Sequence, residues 1–141
     1  NTKTALPAII AQTVVMGGGS SIVLISASMN GIPVHLYEAA ELDGASKLVT
    51  WFRITLPLLR PTILYLVVMG TISSFQVFTQ IYTMTKGGPQ FSTITIVYLI
   101  YEKAFRSFRF GPASAMAVVL FAVVFCFAIV QFRWLGGEVE Y

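Results

Sequence analysis

Charged residues are scarce in this chain. Lys, Arg, Asp and Glu together make up 11% of its 141 residues, whereas an average soluble domain carries about a quarter. Hydrophobic residues make up 56%, and the mean hydropathy is +0.78. This composition excludes an ordinary soluble domain and indicates a membrane protein.

Side chains that perform catalysis or bind metals are also scarce. His35 is the only histidine, and its position at the edge of an apolar tract favours an interfacial side chain over a base or a metal ligand. Cys126 is the only cysteine, so no intrachain disulfide can form and a packing role is expected. Glu38, Glu41 and Asp43 have no His or Cys nearby, which favours the polar face of a helix over a metal cluster.

Two patterns superficially resemble a nucleotide-binding site and a nucleic-acid-binding site. The run Gly17-Gly18-Gly19-Ser20-Ser21 lacks the lysine and the glycine spacing of a phosphate loop. Lys103, Arg106 and Arg109 alternate with phenylalanines, but they lie between membrane elements, where anchoring to lipid headgroups is expected. We therefore predict no catalytic residue, no metal, no bound cofactor and no nucleic-acid partner.

Three long tracts contain no charged residue. They run from Thr4 to Val34, from Pro61 to Thr85 and from Phe110 to Phe132. Each is long enough for a membrane-crossing helix, which needs about 20 mostly apolar residues. The predicted fold is all-α and polytopic, with spans over residues 8–29, 62–82 and 112–133 and the two chain ends on opposite sides of the membrane.

The segments between the spans predict structure rather than flexible linkers. Residues 33–60 predict a helix-turn-helix, because Pro33 suits a helix start and Gly44 a helix end, and apolar residues then recur at helical spacing before Pro57. Residues 87–101 open with Gly87-Gly88-Pro89 and are too short to span, so they predict a loop followed by a short interfacial or re-entrant helix.

The first of these segments carries a specific pattern. It reads Glu38-Ala39-Ala40, three residues, Gly44, nine residues, Ile54, one residue, Leu56-Pro57. At this spacing, between two apolar spans, it resembles the EAA signature of binding-protein-dependent ABC importer permeases. Further matches to the carbohydrate-uptake branch, which includes the maltose permeases, are Ile32-Pro33, Tyr37-Glu38, Asp43-Gly44-Ala45, Gly87-Gly88-Pro89, Tyr101 to Phe105 and Gly111 to Ala115.

The resemblance covers essentially the whole chain and implies that residues 1–141 are the C-terminal part of a permease domain of about six spans. It implies that the loop docks into a cytoplasmic ATPase subunit. The residues expected to couple to that subunit are Glu38, Ala39, Ala40, Asp43, Gly44, Ile54, Leu56 and Pro57. MgATP is then expected on the ATPase, and this chain is not itself an enzyme.

The resemblance also implies partners and an orientation. The expected partners are a second permease subunit, two ATP-binding cassette ATPase subunits, an extracytoplasmic solute-binding protein and membrane lipid. The chain is expected in a bacterial-type inner membrane, with its N-terminus extracytoplasmic and its C-terminus cytoplasmic. The basic segment from Lys103 to Phe110 then faces outward, where contact with the solute-binding protein is an alternative to lipid anchoring.

A solute path is expected near mid-membrane on the spans that flank the loop. Alignment with sugar permeases points to Thr13, Met16, Gly17 and Ser20 on the first span and to Gly70, Ser73, Ser74 and Val77 on the second. Each set follows the spacing i, i+3, i+4, i+7 and so predicts one helical face. Tight helix packing is the alternative, because membrane helices use small residues in the same way.

No carboxylate or histidine lies within the predicted spans, which argues against coupling to protons or ions. The predicted function is an ATP-driven importer permease for a sugar or related polar, uncharged solute. Alternatives are a permease for a polyamine, phosphate ester or amino acid, and a non-transporting membrane scaffold. An intramembrane enzyme would need paired catalytic side chains that the spans do not contain.

Overall fold

The computed structural model describes residues 2–136, without the side chains of residues 2, 3 and 16. Helix accounts for 81% of the structure, and no strand occurs in this range. The all-α prediction is therefore confirmed. Two helices within the described range are long and apolar enough to cross a membrane, and a bent helix pair is a third candidate. The predicted location of the C-terminus concerns residues 137–141, outside the described part.

The first span is the helix α1, Thr2–Asn30. It extends beyond the predicted residues 8–29 at both ends, and it continues through the glycine run. The helix ends where predicted: the Gly31 amide donates to the Ala27 carbonyl at 3.2 Å, and the Ile32 amide donates to the Met29 carbonyl at 3.1 Å.

The predicted helix-turn-helix follows as a series of short helical pieces. These are α2 (Val34–Leu42), α3 (Lys47–Thr50), a π-helical turn (Trp51–Thr55) and α4 (Leu56–Leu58). The sequence did not predict the wider π-helical turn. It ends just before Pro57, whose ring would crowd a carbonyl of a regular α-helical turn.

The second span differs from the prediction of one helix over residues 62–82. The helix α5 covers Arg60–Phe75, the chain leaves helical geometry around Val77, and a π-helical turn follows at Ile81–Thr85. α5 qualifies as a membrane span only together with Lys47–Leu58, from which it is bent by 62°. The break coincides with a tertiary contact, in which the Thr95 hydroxyl donates to the Val77 carbonyl at 3.0 Å.

The remaining elements agree with the predicted order of loop, short helix and span. The helix α6 covers Ile96–Tyr101 and continues into a π-helical turn, Glu102–Arg106. The helix α7 covers Phe110–Leu135, slightly more than the predicted 112–133. A location of α6 at the membrane surface stays a prediction.

The chain divides into two compact units. Within the described residues, one comprises 2–17 together with Met69–Ile129, and the other comprises Gly18–Val68 together with 130–136. The core of the first unit is formed by Ile9, Ile81 and Tyr98, against which Val77, Phe78 and Ile94 pack.

Most large apolar side chains in both units are exposed, including those along α1 and α7. An apolar surface of this extent is expected where lipid or partner subunits cover a protein. It is consistent with the membrane spans that the charge-free tracts predict.

Candidate functional site

The turn between α2 and α3 is closed by backbone hydrogen bonds around Gly44. The Ala45 amide donates to the Ala40 carbonyl at 2.9 Å, and the Gly44 amide donates to the Glu41 carbonyl at 3.0 Å. Gly44 has φ +72°, the left-handed geometry that this type of helix ending requires and that L side chains rarely adopt. α2 therefore ends shortly before Gly44, in agreement with the prediction, through a left-handed backbone conformation at this residue.

The second half of the turn is ordered by Ser46, which the sequence analysis did not single out. Its hydroxyl accepts from the Val49 amide at 3.4 Å, and its carbonyl accepts from the Thr50 hydroxyl at 3.2 Å. Serine before a helix is a standard N-cap, so this residue had a recognisable local signal. Together Gly44 and Ser46 define both helix ends that face the turn.

A long-range contact ties the two halves of the loop together. The hydroxyls of Tyr37 in α2 and Thr55 in the π-helical turn lie 3.0 Å apart and share a hydrogen bond. Thr55 is only 3% exposed. Periodicity alone could not identify this pair, because the two residues are 18 positions apart and belong to different pieces.

Beside this contact lies an open groove of about 600 Å³. Its lining includes Glu41 and Lys47 together with Trp51. Within residues 2–136, no group of three His, Cys, Asp or Glu side chains is arranged to hold a metal ion. Glu38, Glu41 and Asp43 instead lie exposed along α2 and at its end.

The predicted coupling residues divide into an exposed and an inner set. Glu38, Ala39, Asp43 and Gly44 are exposed, Ala40 is buried, and Ile54, Leu56 and Pro57 are partly buried. Six large apolar side chains of the loop are also exposed, and Leu42 (90%), Leu48 and Phe52 are among them. Leu42 was missed by the sequence analysis. The loop thus combines a fixed backbone with an apolar surface that nothing in its own unit covers.

The residues predicted for the first half of the solute path lie on α1. Thr13 donates its hydroxyl to the Ile9 carbonyl at 2.9 Å, so this group is engaged within its own helix. Gly17 and Ser20 are exposed. The Met16 side chain lies outside the described part. The first unit includes Thr13 and Gly17, whereas Ser20 belongs to the second.

The second half of the predicted path does not form one helical face. Gly70, Ser73 and Ser74 are exposed on α5, with the Ser74 hydroxyl donating to the Gly70 carbonyl at 2.8 Å. Val77 lies beyond the end of this helix and packs against the core of the first unit. The expectation that Val77 continues the face is therefore wrong, because α5 ends at Phe75. A role of the other residues in solute passage stays a prediction.

The second loop is packed closely around Gly87. A Cβ there would lie 3.0 Å from Ile94 Cγ1 and 3.2 Å from Tyr98 Cε1, and φ is +84°. Thr93 is fully buried and donates its hydroxyl to the Gly88 carbonyl at 2.9 Å, while its oxygen lies 2.8 Å from the Thr85 hydroxyl. The Tyr98 hydroxyl donates to the Lys86 carbonyl at 2.9 Å.

An aromatic cluster lies beside this loop. Its members are Phe78, Tyr82, Tyr98, Tyr101 and Phe105, with centroids of successive rings 5.1 to 6.3 Å apart. The hydrogen bond with Tyr82 raises the pKa of the Tyr101 hydroxyl.

Long apolar helices with exposed apolar surfaces, joined by structured loops, define an α-helical multi-pass membrane protein. The sequence profile of the family described as binding-protein-dependent transport system inner membrane component matches residues 1–135. The chain belongs to this family. The resemblance to ABC importer permeases of the carbohydrate-uptake branch is thereby confirmed.

Individual relatives carry the names of solute-specific permeases. The chain is 43% identical over 110 residues to the sulfoquinovosyl glycerol transport system permease protein SmoG of Agrobacterium fabrum, covering 78% of this chain and 36% of the relative. It is 37% identical over 116 residues to the sn-glycerol-3-phosphate transport system permease protein UgpA of Escherichia coli, covering 82% and 39%.

A third relative is named for sugars. The multiple sugar-binding transport system permease protein MsmF of Streptococcus mutans is 34% identical over 133 residues, which cover 92% of this chain and 46% of the relative. The chain spans less than half the length of each of these relatives.

Proposed function

We propose that this chain is the C-terminal part of a permease subunit in an ATP-driven importer, and that residues 33–60 form the element through which an ATPase subunit acts on it. The observation that carries the proposal is the combination of a fixed turn with an exposed apolar surface in one loop. Family membership supports the importer class.

The loop is suited to transmit a displacement because its pieces are joined at three points. The backbone bonds around Gly44 fix the turn, Ser46 fixes the start of α3, and Tyr37 bonds to Thr55 across the loop. An element held in this way moves as a unit when its surface is pushed. ATP binding would close the ATPase pair, displace the loop and switch the pathway between outward-facing and inward-facing states.

The exposed side chains fit a protein partner. Leu42, Leu48 and Phe52 offer apolar area, and the slim Ala39 lets one side of α2 enter a cleft. Glu38 offers a carboxylate to a basic or amide donor on the ATPase. In this arrangement MgATP is bound by the partner, and the chain contributes no catalytic group.

We propose a sugar or related polar, uncharged solute. MsmF is named for sugar binding, and the described parts of α1 from Thr4 onward and α7 up to Phe132 contain no charged residue. A phosphate ester is the second candidate, because UgpA is named for sn-glycerol-3-phosphate. Uptake of a labelled neutral sugar and of labelled glycerol phosphate by the same assembled transporter distinguishes the two.

The complete assembly would contain a second permease subunit, two ATPase subunits and an extracytoplasmic solute-binding protein. The loop would lie in the cytoplasm, with the N-terminus of this fragment outside and its C-terminus inside. A scaffold without transport activity would bind the ATPase but support no uptake, so parallel measurement of co-purification and uptake separates these functions.

Replacing Gly44 by valine tests the coupling role. A β-branched side chain at φ +72° strains the turn, although a Cβ there meets nothing within 4 Å. We expect Gly44→Val to lose most ATP-driven uptake or ATPase co-purification while the permease still inserts into the membrane. Gly111→Val is the matched control, because its Cβ also meets nothing within 4 Å and its φ is not positive. Undiminished uptake by Gly44→Val would contradict the proposal.

A further inference from the structure

The segment before α7 combines positive charge with exposed aromatic rings. Lys103, Arg106 and Arg109 provide three cations against the single carboxylate of Glu102. Arg106 contacts that carboxylate at 3.5 Å, and within residues 2–136 neither Lys103 nor Arg109 forms an ion pair. The segment therefore keeps a net positive charge that its own unit does not neutralise.

Three phenylalanines alternate with these cations and lie exposed. Phe105 is 64% exposed, Phe108 76% and Phe110 57%. Phe108 also has φ +51°, a conformation that is rare for a bulky side chain. The Arg109 amide donates to the Lys103 carbonyl at 2.8 Å and so holds the chain in this geometry. The backbone thus presents a large ring outward at a conformational cost, without burying it in its own unit.

The position of the segment along the chain indicates which environment receives these rings. It leads directly into α7, a 26-residue helix with the composition of a membrane span. A helix of that length is about 39 Å long, whereas the hydrocarbon core is about 30 Å thick. The first turn of α7 and the residues before it therefore lie at the depth of the phospholipid headgroups.

We propose that Lys103–Phe110 binds anionic phospholipid, with the three cations on headgroup phosphates and the three phenylalanine rings in the adjacent interfacial layer. Alternating cations and aromatic rings suit this boundary, because the rings partition into it while Lys and Arg remain at the charged surface. Continuity with a membrane span and the unneutralised positive charge favour lipid over a protein partner. The inference requires α7 to span the membrane but does not depend on ATPase coupling.

The first test compares lipid selectivity. The assembled transporter is reconstituted in nanodiscs of phosphatidylcholine with one quarter phosphatidylglycerol, and retained lipids are counted by native mass spectrometry. Each cation near an anionic surface favours binding about fivefold. The variant with Lys103, Arg106 and Arg109 all replaced by glutamine should lose at least about tenfold in its preference for phosphatidylglycerol. The charge-conserving variant K103R/R106K/R109K should keep that preference.

A second measurement needs no change in charge. In a Cys126→Ala background, a spin label at Phe108→Cys should be accessible to oxygen dissolved in the bilayer and largely protected from a water-soluble relaxation agent. An unchanged lipid preference in the glutamine variant would overturn the proposal. A label at position 108 that is fully water-accessible, or that becomes buried only when the solute-binding protein is added, would also overturn it.

ATPase co-purification is recorded for each variant, and uptake is measured after the same purified complex is reconstituted in sealed liposomes. Normal uptake together with absent lipid preference would mean that only the lipid inference fails. Retained lipid preference in a preparation that neither transports solute nor binds an ATPase would mean that only the proposed function fails.

Discussion

The two loops that join long helices differ in what surrounds their left-handed glycines. Around Gly44 a Cβ would meet nothing within 4 Å, whereas at Gly87 it would press on Ile94 and Tyr98. The first loop is held by backbone hydrogen bonds at its turn and by a side-chain hydrogen bond between its halves, and several of its large apolar side chains remain exposed. The second loop uses its side chains to pack inside its own unit.

This difference separates two ways of building a loop at a membrane. A loop with internal backbone bonds and an uncovered apolar surface is suited to receive another subunit. A loop with a filled interior fixes the elements that it joins, although parts of its surface, such as Phe91 and the phenylalanines of Lys103–Phe110, remain exposed. Substitutions should therefore affect contacts with other subunits in the first loop and folding in the second.

The largest effect is expected at Gly87. Gly87→Val adds both backbone strain and a contact at 3.0 Å to Ile94 Cγ1. We expect the thermal stability of the assembled complex to fall by an amount equivalent to about 3 kcal/mol or more. Gly44→Ala, which adds strain alone, should cost only about 1 kcal/mol. Equal losses of thermal stability in Gly87→Val and Gly44→Ala would contradict the proposed difference between the loops.

Thr93 should come next. Thr93→Val removes a fully buried hydroxyl that is bonded to the Gly88 carbonyl and to Thr85, and it leaves the partly buried carbonyl without this donor. A loss of about 1–3 kcal/mol is expected, since a buried unpaired polar group keeps its desolvation cost. Thr93→Ser retains the hydroxyl and should restore most of the stability. Failure of serine to do better than valine would argue that the methyl group, not the bonding, matters.

Tyr37 tests the first loop. Tyr37→Phe removes the bond to Thr55 and should cost about 1 kcal/mol in stability. Because this bond ties the two halves of the proposed coupling element, uptake per ATP hydrolysed should fall more clearly than stability. Tyr65→Phe, at an exposed site on α5, serves as the matched control. Unchanged coupling in Tyr37→Phe would show that the loop needs no tie across its two halves.

The smallest effect is expected at Ser46. Ser46→Ala removes one capping bond of 3.4 Å at an exposed site and should cost about 0.5–1 kcal/mol. Ser46→Asp supplies another capping acceptor and should retain stability. Thermal unfolding of both variants in the same complex measures the difference. A larger loss of stability in Ser46→Ala than in Tyr37→Phe would mean that the Ser46 cap, rather than the Tyr37–Thr55 hydrogen bond, holds the first loop together.

The sequence predicted those features that depend on composition and on local rules. Uninterrupted apolar tracts placed α1 and α7, and Pro33 and Gly44 marked the bounds of α2 to within a residue or two. Serine before α3 offered an equally local signal that was overlooked. In the site, the EAA pattern located the loop but not which of its side chains are exposed.

Features created by distant contacts were not predictable in this way. At the break after α5, the Val77 carbonyl bonds to Thr95, which lies 18 residues away, and the Tyr37–Thr55 hydrogen bond in the first loop joins residues equally far apart. The helical spacing assigned Val77 to a continuous helical face. Sequence spacing contains no information about a hydrogen bond from a residue in another element. The π-helical turns likewise have no simple signature in the sequence.

The most direct test of the account asks whether the exposed surface of the first loop contacts the ATPase. In the assembled transporter with Cys126→Ala, a cysteine at the 90% exposed Leu42 is reacted with a short bifunctional crosslinker, and a cysteine at Phe108 serves as the comparison site. The account predicts crosslinking to the ATPase subunit from position 42, changed in extent by ATP, and none from position 108. Absence of the product at position 42 in a transport-competent complex, or its appearance at 108, would contradict it.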